Sequence, residues 1–328
     1  MRFVVYGAGA IGGVLGGRLV EHGHDVVLIA RGAHLAAIKA SGLTLESPDD
    51  RVTLEVEAVA APDEVSFRPD DVVVLSMKGQ DTLAALDALA ATAPSSTPIV
   101  CAQNGVENER AALRRFEHVY GMCVMCPATH LDPGIVQASS SPVTGIMDLG
   151  PWPSGSDDIA VAIAAALASS TYASEPREDI ARWKWGKLLM NLGNAVEAVY
   201  HRDARARELA AAARREGIEC LQAAGVAFVD TDEDAARRGE LLTPKPIGDR
   251  ARSGGSTWQS LTRSAGVVET DYLTGEIVLL GRLTGFPTPV NAFLQDVANS
   301  AARSHAVPGS RSADEAFAAL SLPTPSSV

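Results

Sequence analysis

The run KWGKLLMNLGN at 184–194 carries the side chains best suited to act on a polar substrate. Lys187, Asn191 and Asn194 have i, i+4, i+7 spacing, which places them on one face of a helix while Leu188, Leu189 and Leu192 cover the others. A polar stripe is normally a solvated face, but Asn is a poor helix former and two on one stripe is unusual. The pattern alone leaves both readings open. An ammonium on such a face can stabilise negative charge growing on a carbonyl oxygen and can donate the proton. Glu269, in the run VETDY, is a carboxylate able to hold a lysine charged or to accept from a substrate hydroxyl. By itself, with Asp271 beside it, it reads more readily as an acidic helix start. Ser256 and Thr257 precede Glu269 in the run STWQSL, and Asn104 lies in QNGVEN.

A second group lies at the start of the chain. Gly7, Ala8, Gly9, Ala10, Ile11 and Gly12 follow an apolar run at 2–6 and precede a helical pattern at 13–22, which Gly23 ends. The apolar run 25–30 completes a βαβ unit. In that context the three glycines have separate tasks: a tight turn, close approach to a pyrophosphate, and close packing of helix on strand. The helix start adds backbone N–H groups and the positive end of the helix dipole. Arg31 stands 19 residues after Gly12, where an NAD site carries an acid. A guanidinium suits a 2′-phosphate, so NADP(H) is the expected cofactor. Lys78 directly follows the apolar run 71–77, and Asn104 follows 98–102. Both belong at the carboxyl ends of parallel strands, where open α/β sheets bind ligands.

The elements that must position these groups alternate. Helical patterns at 82–92 and 108–116 separate the strands, 119–149 is strand-rich, and a helix at 157–169 precedes a short strand at 171–174. Beyond 176 the patterns at 179–199, 204–225, 233–241 and 268–283 are helical, with almost no strand. The fold class is therefore α/β: an N-terminal Rossmann-type dinucleotide-binding domain over 1–176 and an all-helical domain over 177–304, with a flexible tail at 305–328 that opens on a short amphipathic helix. The chain has 328 residues with 28 Lys+Arg against 40 Asp+Glu, a formal net charge of −12. That balance argues against nucleic acid as a partner, and no stretch reads as a membrane span or signal peptide. Four cysteines give no disulfide framework. Cys123 and Cys126 form a lone CxxC whose odd spacing puts the thiols on opposite faces of a strand, so they read as reduced buried thiols rather than metal ligands.

Together the motifs resemble the ketopantoate reductase family, over about residues 1–300. The matching stretches are GAGAIG at 7–12, Arg31, SMKGQDT at 76–82, QNGVEN at 103–108, KWGKLLMN at 184–191, STWQSL at 256–261 and ETDYLTGEIV at 269–278. The resemblance implies a cytoplasmic enzyme of pantothenate biosynthesis that reduces a 2-oxo acid to a 2-hydroxy acid with NADPH. Its active site would lie in the cleft between the two domains, and the helical domain would offer a homodimer surface. It makes Lys187 the catalytic lysine and Glu269 an essential glutamate that also touches the cofactor. Asn104 and Asn191 would contact substrate or cofactor, and Lys78 would line the cofactor site. Thr257, with Ser256 beside it, would bind the substrate carboxylate. The departures are Ala195 where the family often has a second asparagine (Asn194 stands one residue earlier), Trp258, and Leu261 in place of an aspartate. All three point toward the substrate pocket, so another 2-oxo acid is a competing substrate. A sensor that binds NADPH without turnover is a reading from a different class.

Overall fold

The computed structural model describes residues 1–248 and 254–322. The chain divides into two compact units: Met1–Lys184 with Asp230–Arg252, and Trp185–Val229 with Ser253–Val328. The expected boundary at 176 falls just before the helix Ile180–Asn191, and the division runs through that helix.

The first unit is built on an eight-stranded sheet in the order Tyr172–Ala173, Gly145–Pro151, Val119–Met125, Ile99–Cys101, Asp71–Leu75, Arg2–Tyr6, Asp25–Ile29, Glu57–Val59. Gly145–Pro151 pairs antiparallel with Val119–Met125, and the other pairings are parallel. The central strands are continuous apolar runs because helices cover both faces. After Arg2–Tyr6 the chain goes first to its neighbour Asp25–Ile29 and only later to its other neighbour Asp71–Leu75. The strand order therefore reverses there, and a crevice opens outside the carboxyl ends of these two strands. The helix Ala10–Glu21 starts earlier than the sequence pattern suggested and is buried on both sides. Val14, Leu15 and Leu19 share a core with Phe3, Val5 and Leu28 of the large sheet and with Leu43, Leu45, Val136 and Ala138 of a four-stranded second sheet.

Residues 230–248 return to this unit, although the sequence showed no strand there. The strand Leu242–Pro244 pairs antiparallel with Ser140–Pro142, and the helix Thr231–Arg238 is tied down by charge. Asp148, 2 % exposed, accepts from Nε and Nη2 of both Arg177 (3.1 and 2.9 Å) and Arg237 (2.8 and 2.7 Å), and from the Glu175 N–H.

In the second unit the long helix Ala204–Ala223 packs against Thr274–Thr284, Pro289–Arg303 and Asp314–Leu320. Buried Glu216 accepts from the Val290 and Asn291 N–H groups at 2.9 and 2.8 Å, satisfying donors that a helix start leaves unpaired. The expected single helix over 179–199 is two, Ile180–Asn191 and Asn194–Val199, parted at Leu192–Gly193. The apolar period runs through the break, which hid it from the sequence. The short amphipathic helix expected within the tail is Asp314–Leu320, and it is built into the bundle: Phe317 is 7 % exposed and lies under the Arg205 guanidinium. Residues 323–328 of that tail lie outside the described residues. Among the described residues no helix is long and apolar enough to cross a membrane.

Removing the Asp148 carboxylate leaves two guanidiniums without their buried partner. Asp148→Ala should cost ~3–5 kcal/mol of stability, the usual result of breaking a buried charge pair. Chemical unfolding checks the loss, and protease cleavage within 230–252 of the native protein should accelerate alongside it.

Candidate active site

The glycine-rich loop follows from what surrounds it. Gly7 has φ +100°, and a Cβ there would lie 2.8 Å from the Met77 backbone nitrogen. A Cβ on Gly12 would lie 2.2 Å from Ser76 Oγ, whereas one on Gly9 would meet nothing within 4 Å. Gly7 and Gly12 thus let the loop press against the end of Asp71–Leu75, while Gly9 faces open space. Ser76 Oγ fixes the contact by donating to the Tyr6 and Gly7 carbonyls at 3.2 and 3.0 Å. The Gly13 N–H makes the first turn's bond to the Gly9 carbonyl, 2.7 Å. The N–H groups of Ala10, Ile11 and Gly12 stand at the helix start, where a pyrophosphate is bound by such groups. The loop therefore has both the clearance and the donors that a dinucleotide requires. Arg31 begins the helix Gly32–Ser41 with its side chain 87 % exposed, 3.8 Å from Asp81.

Lys78 and Asn104 come to the same sheet edge, because Leu75 and Cys101 are paired strand ends beside Tyr6. A buried network holds the two loops together. Gln103 Nε2 donates to the Met77 carbonyl and to Thr82 Oγ1, both at 2.8 Å. Thr82 Oγ1 donates to Asn108 Oδ1 at 2.8 Å, and Asn108 Nδ2 donates to the Asn104 carbonyl at 3.1 Å. Beneath them Lys184, 3 % exposed, donates to the Gln103 carbonyl at 3.0 Å and to the fully buried Glu109 carboxylate. Burial pushes the Glu109 carboxyl up from its ordinary range, and the Lys184 ammonium opposes that rise. Gln103, Asn108, Glu109 and Lys184 were not singled out from the sequence. Gln103 and Asn108 lie inside QNGVEN, a visible signal. The Lys184–Glu109 pair spans 75 positions and left none.

In the second unit Lys187 is half-buried on its helix and Asn191, one turn later, is 5 % exposed, so this face is not a solvated stripe. Asn194 does not extend that face, because the helix break lies between. It belongs instead with the helix Ser256–Thr262, against which Asn194–Val199 packs. Asn194 Oδ1 lies 3.9 Å from where a Cβ on Gly255 would be, and Glu197 Oε2 accepts from the Gly255 N–H at 3.2 Å. Ser256 is half-buried, and Thr257, 2 % exposed, has a buried Oγ1 with no hydrogen-bond partner among the described residues. Glu269, 6 % exposed, opens a short helical turn. Asp271 fastens that turn by accepting from Gln295 Nε2 and Asn299 Nδ2, each at 2.7 Å. Two of the three departures from the family pattern prove to be core: Ala195 and Leu261 are each 4 % exposed, while Trp258 is half-buried. Among the described residues the cysteines form no disulfide; Cys123 and Cys126 approach different carbonyls, Trp183 and Thr144, and Cys126 is only half-buried.

The family model described as Ketopantoate reductase PanE/ApbA matches residues 3–154, and its C-terminal counterpart matches 179–302. The chain is 31% identical over 325 residues to a 2-dehydropantoate 2-reductase of Mesorhizobium japonicum, covering 88% of this chain and 94% of that one. A PanE/ApbA family ketopantoate reductase from Ralstonia eutropha JMP134 superposes with TM-score 0.77 at 28% identity, covering 93% of this chain and 99% of that one. A D-mandelate dehydrogenase solved with NADH and anilino(oxo)acetate has TM-score 0.78 at 22% identity, with the same coverage, a likeness of fold. The chain belongs to the ketopantoate reductase family of oxidoreductases.

The buried pair under Gln103 makes a sharp prediction. Lys184→Met leaves Glu109 without its cation and should cost ~3–5 kcal/mol, whereas Lys184→Met with Glu109→Leu should recover most of that loss. Urea unfolding of both variants measures it; equal stabilities would show that the two charges are not coupled.

Proposed function

We propose that this protein reduces a 2-oxo acid to the 2-hydroxy acid with NADPH, and that 2-dehydropantoate is the substrate. The observation that carries the reading is Lys187, an ammonium half-buried on a helix whose neighbouring Leu188 and Leu189 are core, one turn before buried Asn191. A lysine that only solubilised its helix would not be withdrawn in this way. NADPH supplies the hydride. Gly7 to Gly12 receive its pyrophosphate, Lys78 and Asn104 line the same sheet edge, and Arg31 pairs with the 2′-phosphate. Lys187 stabilises the charge that develops on the carbonyl oxygen and gives that oxygen its proton. Glu269 keeps Lys187 charged and serves the cofactor side as well. Asn191 and Asn194 hold the substrate's polar groups. The unpartnered Thr257 hydroxyl, with Ser256 and Asn104, takes the carboxylate.

A second reading keeps the chemistry and changes the side chain of the acid. Trp258, half-buried next to Thr257, is the observation that favours it, since an indole there suits a larger apolar group than a branched hydroxyalkyl chain. A protein that binds NADPH without turnover remains the reading from another class.

NADPH oxidation with 2-dehydropantoate, alongside a panel of aliphatic and aryl 2-oxo acids, separates these. Lys187→Ala should lower kcat by ~10²–10⁴, the usual worth of a general acid. Turnover that survives this substitution would remove Lys187 from the reaction. Arg31→Ala should weaken NADPH binding ~10-fold and leave NADH unchanged, as the loss of one charge-assisted contact. NADPH binding with no turnover on any acid would favour the sensor.

A further inference from the structure

We infer that His34 is a positioning residue of the cofactor site, clamping the glycine-rich loop to the helix that Arg31 begins. The inference rests on the NADP(H) reading above and adds a residue outside the family motifs. Two contacts define the state of the imidazole. The Gly134 backbone N–H lies 2.8 Å from Nδ1. A backbone N–H only donates, so Nδ1 must accept and the ring proton sits on Nε2. Nε2 lies 2.7 Å from the Ala8 carbonyl, which accepts that proton. One neutral tautomer satisfies both partners, and an imidazolium would set two N–H groups against each other at Gly134.

The surroundings hold the ring in that form. His130 lies beside it, ring centroids 4.1 Å apart, with its own Nδ1 3.0 Å from the Ile135 carbonyl. Burial first, then the neighbouring His130, depress the His34 pKa to about 4. The ring is therefore neutral under ordinary assay conditions.

The position gives the clamp its consequence. Ala8, 2 % exposed, lies inside the loop whose following residues begin the helix Ala10–Glu21. Holding its carbonyl fixes the Ala8–Gly9 peptide and hence the open face at Gly9. His34 itself lies three residues after Arg31, in the first turn of Gly32–Ser41. A single side chain thus couples the backbone that receives the pyrophosphate to the helix start that presents Arg31. The turn at Gly134 supplies the third anchor, from outside the βαβ unit.

Two substitutions divide the contacts. Asn keeps an acceptor near Nδ1 for Gly134 but does not reach Ala8. Gln carries a donor near Nε2 for Ala8 but leaves Gly134 unpaired. NADPH dissociation constants by fluorescence titration, together with thermal midpoints, are the readouts. His34→Asn should raise the NADPH dissociation constant ~5-fold or more, equivalent to one lost hydrogen bond, while His34→Gln should stay within ~2-fold of wild type. Both should lower the thermal midpoint. Lowered midpoints with unchanged NADPH affinity in both variants would make His34 structural only and overturn the inference. Equal loss of affinity in both would overturn it too, because the Ala8 bond would then not be the contact that matters. Wild-type protein that fails to bind NADPH would overturn the cofactor reading and the inference with it, an outcome visible without either variant.

Discussion

The constraint on which the first unit depends is the contact between the glycine-rich loop and the end of the strand Asp71–Leu75. Gly12 leaves no room for a methyl group: its missing Cβ would sit 2.4 Å from the Gly7 carbonyl oxygen as well as against Ser76. That approach lets the helix Ala10–Glu21 start directly above the crevice where the strand order reverses. It also places Met77, and so Lys78, beside the loop. Once the distance is set, Ser76 and His34 grip the loop from opposite sides through carbonyl oxygens. Its N–H groups at the helix start are left for an anion. The Gly7, Ala8 and Gly9 amides are also spent on the fold, through the Ile29 and Gly7 carbonyls, so the anion donors are those of the first helical turn.

Charge is divided in a similar way. The chain carries an excess of acid, yet three of its most buried carboxylates are each matched by a cation: Asp71 by Arg2, Asp148 by Arg177 and Arg237, Glu109 by Lys184. These pairs are expensive to desolvate and gain their value from geometry, so each acts as a pin between segments distant in sequence. Lys184 and Lys187 illustrate the division within one helix. The first is buried and spent on Glu109 and the Gln103 carbonyl, where it shapes the Asn104 loop. The second is only half-buried. Three residues of spacing and the same side-chain type separate a group that positions from a group proposed to react.

Much of this was legible in the sequence because its cause is local. The strands of the βαβ unit are continuous apolar runs, the glycines answer to sterics within a few residues, and Lys78 and Asn104 follow their strands directly. What escaped notice depends on partners far along the chain. The return of 242–244 to pair with 140–142 has no local signature. Neither does a glutamate whose lysine lies 75 positions away. The helix break at Leu192–Gly193 is hidden for another reason: Val196 and Val199 continue the apolar period of the leucines across it, and only the glycine hints at an end. The helix Pro289–Arg303 does carry a local signal, Pro289 at its first helical position, though it stands outside the helical patterns given above.

The break changes how the substrate side of the site should be understood. On one continuous helix, Asn194 and Ala195 would be compared as neighbouring directions from Lys187, and Ala195 would count as a lost substrate contact. With the chain restarted at Asn194, Ala195 turns into the core at 4 % exposure, and Asn194 faces the start of Ser256–Thr262. Leu261 is likewise core, so an aspartate there would be buried rather than offered to a ligand. Trp258 is the departure that is not core. Its Cγ lies 2.7 Å from where a Cβ on Gly254 would be, so the indole occupies its place only because residue 254 has no side chain. In the proposed reading, Thr257 and Asn194 hold the oxo acid. The size of the acid's remaining group is then a matter for Trp258, a single side chain whose seat was made by a glycine.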